Sequence, residues 1–197
     1  MKEYQDYFFK KAKKEGVLSR AFFKLEELDK RRRLLAPGAA VLDIGCSPGS
    51  WMQYAAKRAG EKGCVVGVDK NPPTGSFPAW VHFIRGDILA VRGEDLLQAA
   101  GRKFDAVLSD AAPSTTGERF VDQQNSLRLA ERALALAREV LKPGGHLVMK
   151  IFQGPDAKKL LDACRVEFEE VQTEKPQSSR KESFEVYCVA LRRKGAV

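Results

Sequence analysis

The chain has 197 residues, of which 44% are hydrophobic and 30% are charged. This length and composition are typical of one globular domain with a substantial core. No apolar run approaches the length that spans a bilayer, and the first residues lack the apolar segment of a signal peptide, so we expect a cytoplasmic protein. The four scattered cysteines and only two histidines predict buried free thiols and argue against a zinc site.

The net charge of +8 is concentrated at the two ends of the chain. Residues 1–33 carry 11 basic and 6 acidic residues, residues 175–197 carry 6 and 2, and residues 34–174 carry 17 and 18. A neutral middle flanked by basic ends indicates a polyanionic partner such as RNA or DNA, unless the basic ends only aid solubility. The aromatic and basic segment 4–14 either contacts nucleic acid or packs as an amphipathic helix.

Apolar patterns predict helices and strands that alternate along the chain. Helices are predicted at 19–31 with Ser19 as N-cap, at 51–59, at 123–141 ended by Pro143-Gly144-Gly145, and at 155–164. Strands are predicted at 39–44, 63–68, 80–85, 104–109, 146–152, 168–174 and 183–191. This alternation favours an open, mostly parallel sheet covered by helices. We expect a single domain over 1–197, with 1–33 as a basic extension and 34–197 as its core.

Two polar segments between the predicted elements are candidates for mobile loops. The first, 111–122, is rich in Ser, Thr and Gly, and the second is 175–182.

A glycine-bearing turn follows the first predicted strand and precedes a helix. It reads Asp43-Ile44-Gly45-Cys46-Ser47-Pro48-Gly49-Ser50-Trp51. Glycine lets the backbone approach a ligand closely, and a helix start offers unpaired N–H groups, so the arrangement is typical of a site for a nucleotide-like ligand. The acid at the strand end suits a ligand with positive charge, such as S-adenosylmethionine, and would repel a pyrophosphate.

Acidic residues stand at the ends of four successive predicted strands: Asp43, Asp69, Asp87 and Asp110. The carboxyl ends of parallel strands share one edge of a sheet, and ligands bind there. At that edge Asp69 can accept hydrogen bonds from ribose hydroxyls, and Asp87 can accept one from an adenine amino group. One such Asp is often only a turn former, but four in succession favour a site for an adenosyl ligand.

Lys150 interrupts the apolar run of the fifth predicted strand. A buried lysine is costly unless it is paired. Its predicted partner is Asp110, at the end of the neighbouring strand. The alternative is a lysine at a strand end whose amine reaches solvent.

These segments resemble the FtsJ/RrmJ family of ribose 2′-O-methyltransferases, in its large-subunit rRNA branch. The matching runs are S-R-A-F-F-K-L at 19–25, the turn at 43–51, S-D-A-A-P at 109–113, V-M-K-I-F-Q-G at 148–154, and K-P, S-S-R and E-V-Y within 175–187. The resemblance implies an α/β, Rossmann-like, class I S-adenosylmethionine-dependent methyltransferase fold. Such a fold has a seven-stranded, mostly parallel sheet with helices on both faces.

The resemblance also implies the residues of the site. A catalytic Lys-Asp-Lys-Glu tetrad falls on Lys24, Asp110, Lys150 and Glu185. Contacts to the cofactor S-adenosylmethionine fall on Asp43, Gly45, Gly49, Trp51, Asp69, Asp87 and Asp110. Lys150 would act as a base or stabilise a developing alkoxide, Lys24 would hold the hydroxyl or a phosphate, and Glu185 would orient the lysines. No metal is required, because positioning and electrostatics suffice for methyl transfer.

The implied substrate is the ribose of a uridine in the A loop of large-subunit rRNA, within the ribosomal subunit, and the implied enzyme is a monomer. Alternatives are a tRNA ribose 2′-O-methyltransferase, a non-catalytic RNA-binding assembly factor, and a methyltransferase of base nitrogen or protein. The run Asp110-Ala111-Ala112-Pro113 disfavours the last alternative, since it lacks the paired prolines and the aromatic residue of base-amino enzymes. Two segments depart from the family pattern: Cys46-Ser47 with Ser50 in the turn, and S-T-T-G after Pro113.

Overall fold

The computed structural model describes residues 2–113, 116–154, 156–179 and 183–195, with side chains from residue 7 onward. The helices in these ranges are α1 (Lys2–Glu15), α2 (Ala21–Arg32), α3 (Ser50–Ala59), α4 (Gly93–Ala100), α5 (Arg119–Val140) and α6 (Ala157–Glu167). The strands are β1 (Ala40–Ile44), β2 (Cys64–Asp69), β3 (Val81–Arg85), β4 (Phe104–Ser109), β5 (Leu141–Phe152), β6 (Phe168–Glu174) and β7 (Glu185–Arg193).

The seven strands form one sheet in the order β3-β2-β1-β4-β5-β7-β6. Strands β1 to β5 pair in parallel, and β7 runs antiparallel to β5 and β6. The strand order reverses between β1 and β4, so the carboxyl ends of these two strands flank the crevice where open α/β sheets bind ligands. The predicted mostly parallel, seven-stranded sheet is therefore confirmed.

Helices cover both faces of the sheet and build two hydrophobic cores. One core contains residues of α4, α5 and α6, and the other contains residues of α1, α2 and α3. Strand β1 serves both, since Leu42 and Ile44 belong to the first core and Val41 to the second. A strand buried on both faces has a continuous apolar sequence, which is why the sequence pattern located β1, β2 and β4 within about one residue.

Two elements differ from the prediction. Helix α4 was not predicted: among its eight residues only Gly93 and Leu96 are buried, too few to produce a helical apolar period. Strand β5 begins at Leu141, directly after α5, whereas the prediction began it at residue 146. Leu141 is buried opposite Phe104, and an irregularity between Phe104 and Ala106 lets the strand include the Pro-Gly-Gly segment.

The N-terminal segment forms a helix that packs through only part of its aromatic content. The ring of Phe8 lies 5.6 Å from that of Phe23, and Ala12 is buried. Tyr7 and Phe9 are more than half exposed. The packing alternative is thus correct for Phe8, while two aromatic rings remain on the surface.

The start of α2 lies slightly later than predicted. Its N-cap is Arg20 and not Ser19. The Ser19 hydroxyl still accepts a hydrogen bond from the Ala21 N–H (3.2 Å) and shares one with the Ser50 hydroxyl (2.7 Å). It therefore ties the start of α2 to the start of α3.

The predicted mobile loops fall partly on residues 114–115 and 180–182, which lie outside the described residues. The end of the first predicted loop is wrong, because α5 begins at Arg119, four residues before the predicted start. The four cysteines are free thiols; three are buried and Cys64 is half-buried. Among the described helices, none is long and apolar enough to cross a membrane. Within the described ranges no group of three His, Cys, Asp or Glu side chains is arranged to hold a metal ion.

Candidate active site

Four separate elements bring the predicted tetrad together at the carboxyl edge of the sheet. Lys24 comes from α2, Asp110 follows β4, Lys150 lies in β5 and Glu185 begins β7. Lys150 Nζ lies 3.1 Å from Asp110 Oδ1 and donates to the Asp110 carbonyl oxygen at 2.6 Å, so the predicted pair is formed. Lys24 Nζ lies 4.0 Å from Asp110 Oδ1, and each lysine Nζ lies 3.9 Å from a Glu185 carboxylate oxygen.

Strand register explains why these side chains meet. In the antiparallel β5–β7 pair, Lys150 stands opposite Tyr187 and Phe152 stands opposite Glu185. Alternate residues of a strand share a face, so Glu185 and Tyr187 point to the same side as Lys150. Both lysine side chains are less than a tenth exposed, and each lies within 4.0 Å of the carboxylates of Asp110 and Glu185.

Tyr187 is a fifth member of this cluster that the sequence reasoning did not assign. Its side chain is fully buried. The hydroxyl donates to Asp110 Oδ1 at 2.6 Å and accepts from Lys24 Nζ at 3.1 Å. Burial raises the pKa of Tyr187 well above its ordinary value, and the Asp110 carboxylate raises it further, so the phenol stays a neutral donor. Its position two residues after Glu185, on the same strand face, was the available signal.

Asp110 is the charge that holds the cluster together. Burial acts to raise the pKa of its carboxyl, but the Lys150 and Lys24 ammonium groups and the hydrogen bond from Tyr187 outweigh burial, and the pKa lies below its usual value of 3.8. The carboxylate therefore stays ionised at neutral pH. Its charge orients both lysine amines toward one point at the sheet edge.

Helix α2 is anchored on both sides of Lys24. The Trp51 indole N–H donates to the Ala21 carbonyl at 2.9 Å. One turn after Lys24, the Glu27 carboxylate accepts the backbone N–H groups of Gln177 (2.7 Å) and Ser178 (3.0 Å). The loop that leads to Glu185 is therefore tied to the helix that carries Lys24.

A cleft of about 530 Å³ opens beside the tetrad. Its volume is typical of small-molecule sites. Four predicted residues line it: Gly45, Asp69, Asp87 and Asp110. The lining also includes Ile88, Leu89, Asn125, Arg128 and Leu129, which the sequence reasoning missed. Those positions lie after β3 and on α5, and an apolar period marks a helix without showing which of its polar residues face a ligand.

Asp69 and Asp87 are held in place by backbone N–H groups. Asp69 accepts from Ser47 N–H at 3.1 Å and from Asn71 N–H at 2.8 Å. Asp87 accepts from Leu89 N–H at 2.9 Å and lies 3.1 Å from Lys70 Nζ. The Leu89 N–H and the Lys70 ammonium hold the pKa of Asp87 below its usual value. A carboxylate has about four acceptor sites, so both acids retain capacity to bind a ligand.

The turn residues occupy different places around the cleft. Gly45 has a φ of +75°, and a Cβ there would lie 2.6 Å from the Ala111 Cβ, so only glycine permits this close approach to the end of β4. Gly49 does not line the cleft; it has a φ of +114° and packs against Phe77. Trp51 borders a smaller cavity that shares Asp110 with the cleft.

Asp43 lies beneath the cleft as a buried carboxyl. It is fully inaccessible, and among the described residues no donor meets hydrogen-bond geometry at either side-chain oxygen. The Met52 backbone N–H points to the carboxyl and lowers its pKa, but by less than burial raises it. Burial raises its pKa well above the usual 3.8, and the carboxylates of Asp110 and Asp69 raise it further. A buried acceptor without a well-placed donor is costly.

These features fit S-adenosylmethionine. Asp69 and Asp110 line the cleft, and their carboxylates suit a ligand that carries an ammonium and a sulfonium. Asp43 is a third acid, buried below them. Gly45 lets the turn lie directly against Ala111 at the wall of the cleft, and the apolar lining at Ile88 suits a planar adenine ring.

We expect Asp43→Asn to stabilise the ligand-free protein. Replacing a carboxyl whose ionised form is disfavoured by burial should raise the free energy of unfolding at pH 7 by about 1–3 kcal/mol. Because the folded-state pKa is raised, the wild-type penalty grows as pH rises above 3.8 and shrinks as pH falls toward that value. Urea unfolding at pH 7 and pH 4.5 measures both effects.

Asp69→Asn is the matched control for that experiment. Its two oxygens already accept backbone N–H groups, so the same substitution should destabilise there. A less stable Asp43→Asn protein at pH 7, or a gain that does not change with pH, would contradict the assignment of Asp43 as a carboxyl whose ionised form is disfavoured by burial.

Comparison with known proteins places the chain in a family. Residues 17–193 match the FtsJ-like methyltransferase family model. Ribosomal RNA large subunit methyltransferase E of Nitratidesulfovibrio vulgaris is 48% identical over 197 residues, covering 99% of this chain and 98% of that protein. The protein of the same name from Syntrophobacter fumaroxidans is 46% identical over 188 residues, covering 95% of each. A Plasmodium falciparum structure named a ribosomal RNA methyltransferase has a TM-score of 0.77 at 30% identity, covering 90% of this chain and 99% of that one. The chain belongs to the FtsJ-like methyltransferase family.

Proposed function

We propose that this protein transfers a methyl group from S-adenosylmethionine to the 2′-oxygen of a uridine ribose in the A loop of large-subunit rRNA. The observation that carries the proposal is the position of two buried, carboxylate-paired lysines beside a cleft that suits the cofactor. The names of the curated relatives support large-subunit rRNA as the substrate.

The cofactor supplies an electrophilic methyl group on a sulfonium. A ribose 2′-hydroxyl is a weak nucleophile until its oxygen is oriented and its proton is removed. Lys150 meets this need, because Asp110 directs its amine to the sheet edge next to the cleft. In this proposal Lys150 either accepts the hydroxyl proton as a neutral amine or, as the ammonium, stabilises the developing alkoxide while the proton passes to water.

The other tetrad residues have supporting roles in the proposal. Lys24 lies against both carboxylates and holds the substrate hydroxyl or the neighbouring phosphate. Glu185 lies equally close to both lysines and orients them. Tyr187 donates to Asp110 and fixes the carboxylate that directs Lys150.

The cofactor is proposed to lie along the carboxyl ends of β1, β2 and β4. Asp69 would accept from its ribose and Asp87 from its adenine amino group. Gly45 and Asp110 line the same cleft, and the buried carboxyl of Asp43 lies below it. Gly49 is the N-cap of α3, and Trp51 borders the smaller cavity. These two residues would contact the methionine part of the cofactor or fix the shape of the turn.

We further propose that residues 1–197 act as one methyltransferase domain, as a cytoplasmic monomer without a metal. Residues 1–33 are basic and would contact RNA phosphates. So small a basic surface neutralises few phosphates and gives modest affinity for naked RNA. The folded ribosomal subunit would then supply shape selection.

We expect large ribosomal subunits that lack the modification to be methylated much faster than tRNA. The two substrates should be compared in parallel with radiolabelled cofactor at one salt concentration, because affinity for RNA depends strongly on salt. Rapid methylation of tRNA without methylation of large subunits would contradict rRNA as the substrate. It would not contradict the proposal that the protein methylates a ribose 2′-oxygen.

A further inference from the structure

Two exposed phenylalanines lie at a contact between the start of β7 and the start of α5: Phe184 is in that contact, and Phe120 follows its partner Arg119. Phe184 is 49% exposed and Phe120 is 69% exposed. Single exposed apolar residues are common on protein surfaces. Phe184 is unusual in its setting, because it directly precedes Glu185, whose carboxylate lies 3.9 Å from both lysine amines.

One face of the Phe184 ring is covered by a cation. The guanidinium carbon of Arg119, at the start of α5, lies 4.1 Å from the ring centroid, which is within the range of a cation–π contact. This contact orients the ring and leaves its other surface to solvent. Of the two acids near Arg119 in sequence, Glu118 is exposed, whereas Asp122 is buried and accepts from Thr116. The positive charge at this surface is therefore local to the Arg119 guanidinium that covers the ring.

The backbone around Phe184 is fixed to the catalytic strands. The Phe184 carbonyl accepts from the Gln153 N–H at 3.0 Å. The Gln153 carbonyl in turn accepts from Gln123 Nε2 at 2.7 Å. The ring therefore lies where the end of β5, the start of β7 and the start of α5 meet.

Phe184 and Glu185 face opposite ways. Successive side chains of an extended chain point to opposite sides, and the Phe184 contact with Arg119 on α5 agrees with this alternation. A ribose held at Glu185 and Lys150 would therefore place its own base apart from Phe184. A neighbouring nucleotide of the same strand would reach the ring.

We propose that Phe184, backed by Arg119, is a stacking platform for the base of a nucleotide that flanks the methylated one. This inference rests on the proposed function, since it needs a single-stranded RNA segment at the tetrad. An aromatic ring backed by a guanidinium suits a nucleobase, which stacks on the ring while its phosphate gains from the nearby positive charge. Any base can stack on an aromatic ring, so the platform would add affinity for the RNA strand without sequence specificity.

The test measures steady-state methylation of large ribosomal subunits by wild type and by four variants: Phe184→Ala, Phe184→Leu, Phe184→Tyr and Val166→Ala. Val166 is the control, because it is 71% exposed. It lies at the end of α6, close to the end of β7 that is opposite Phe184, since Phe168 pairs with Arg193 there. Phe184→Ala should raise the KM for RNA by about 5- to 150-fold, while the cofactor Kd and the Tm stay unchanged. Phe184→Tyr should restore the wild-type KM, and Phe184→Leu should not, because it keeps apolar bulk without a ring.

Salt separates stacking from phosphate contact. The ratio of KM values between Phe184→Ala and wild type should stay constant between low and moderate salt, whereas loss of a phosphate contact would change the salt slope. An active wild type with an unchanged Phe184→Ala variant, or full rescue by Phe184→Leu, would overturn the platform and leave the proposed function intact. An inactive wild type would overturn both.

Discussion

Replacing Lys150 by Ala is expected to abolish methyl transfer while leaving the cofactor affinity within a few-fold of wild type. Proton transfer or charge stabilisation by a positioned side chain contributes about 10²–10⁴-fold in rate, and the substitution leaves no donor at this position. The cleft that fits the cofactor does not include the Lys150 side chain in its lining. Single-turnover kinetics with saturating RNA and calorimetric titration of the cofactor measure the two quantities.

Lys142→Ala is the matched control for Lys150→Ala. Lys142 lies in the same strand, eight residues earlier, and its half-exposed side chain pairs with Asp105 at the opposite end of β4. We expect near-normal turnover for this variant. A well-folded Lys150→Ala protein with wild-type turnover would exclude Lys150 from the chemistry.

Replacing Asp110 by Asn is expected to remove activity and to destabilise the protein. The substitution keeps the shape of the side chain but leaves Lys24 and Lys150 with Glu185 as the only carboxylate within 4 Å among the described residues. Breaking a buried ion pair from one side costs about 3–5 kcal/mol, and we expect about 3 kcal/mol here because Asp110 retains some exposure.

The pH dependence of this loss follows from the depressed pKa of Asp110. A carboxyl whose folded-state pKa is lowered contributes its full stability above the ordinary value of 3.8 and loses it as pH falls through the lower folded-state value. The difference between wild type and Asp110→Asn should therefore be constant from about pH 5 to pH 8 and shrink in acid. Equal stability of the two proteins at pH 7, by urea unfolding, would contradict a charge-holding role for Asp110.

The pattern of buried strands made the sheet predictable from sequence. Residues such as Val41 and Leu42 lie in apolar runs, because a central parallel strand is covered on both faces. The acids at the strand ends were equally visible, and the topology places Asp43, Asp69 and Asp110 at one edge. Helix α4 was not visible, because so short and half-exposed a helix shows no clear apolar period.

The site was harder to predict than the sheet, because it depends on register and on side-chain direction. Tyr187 could have been assigned from its spacing to Glu185, but only once the strand face was known. The Arg119–Phe184 contact joins two segments 65 positions apart, and nothing local to either segment indicates it. Asp43 was expected to bind the ligand, but its full burial and poor hydrogen bonding among the described residues could be seen only in the fold.

The most direct test of the central claim is to locate the transferred methyl group. Large ribosomal subunits lacking the modification would be treated with wild type or Lys150→Ala and isotopically labelled cofactor, digested to nucleosides and analysed by mass spectrometry. We predict label on a ribose, as 2′-O-methyluridine, with wild type and none with the variant. Label on a base, or equal 2′-O label with both proteins, would contradict a 2′-O-methyltransferase that works through Lys150.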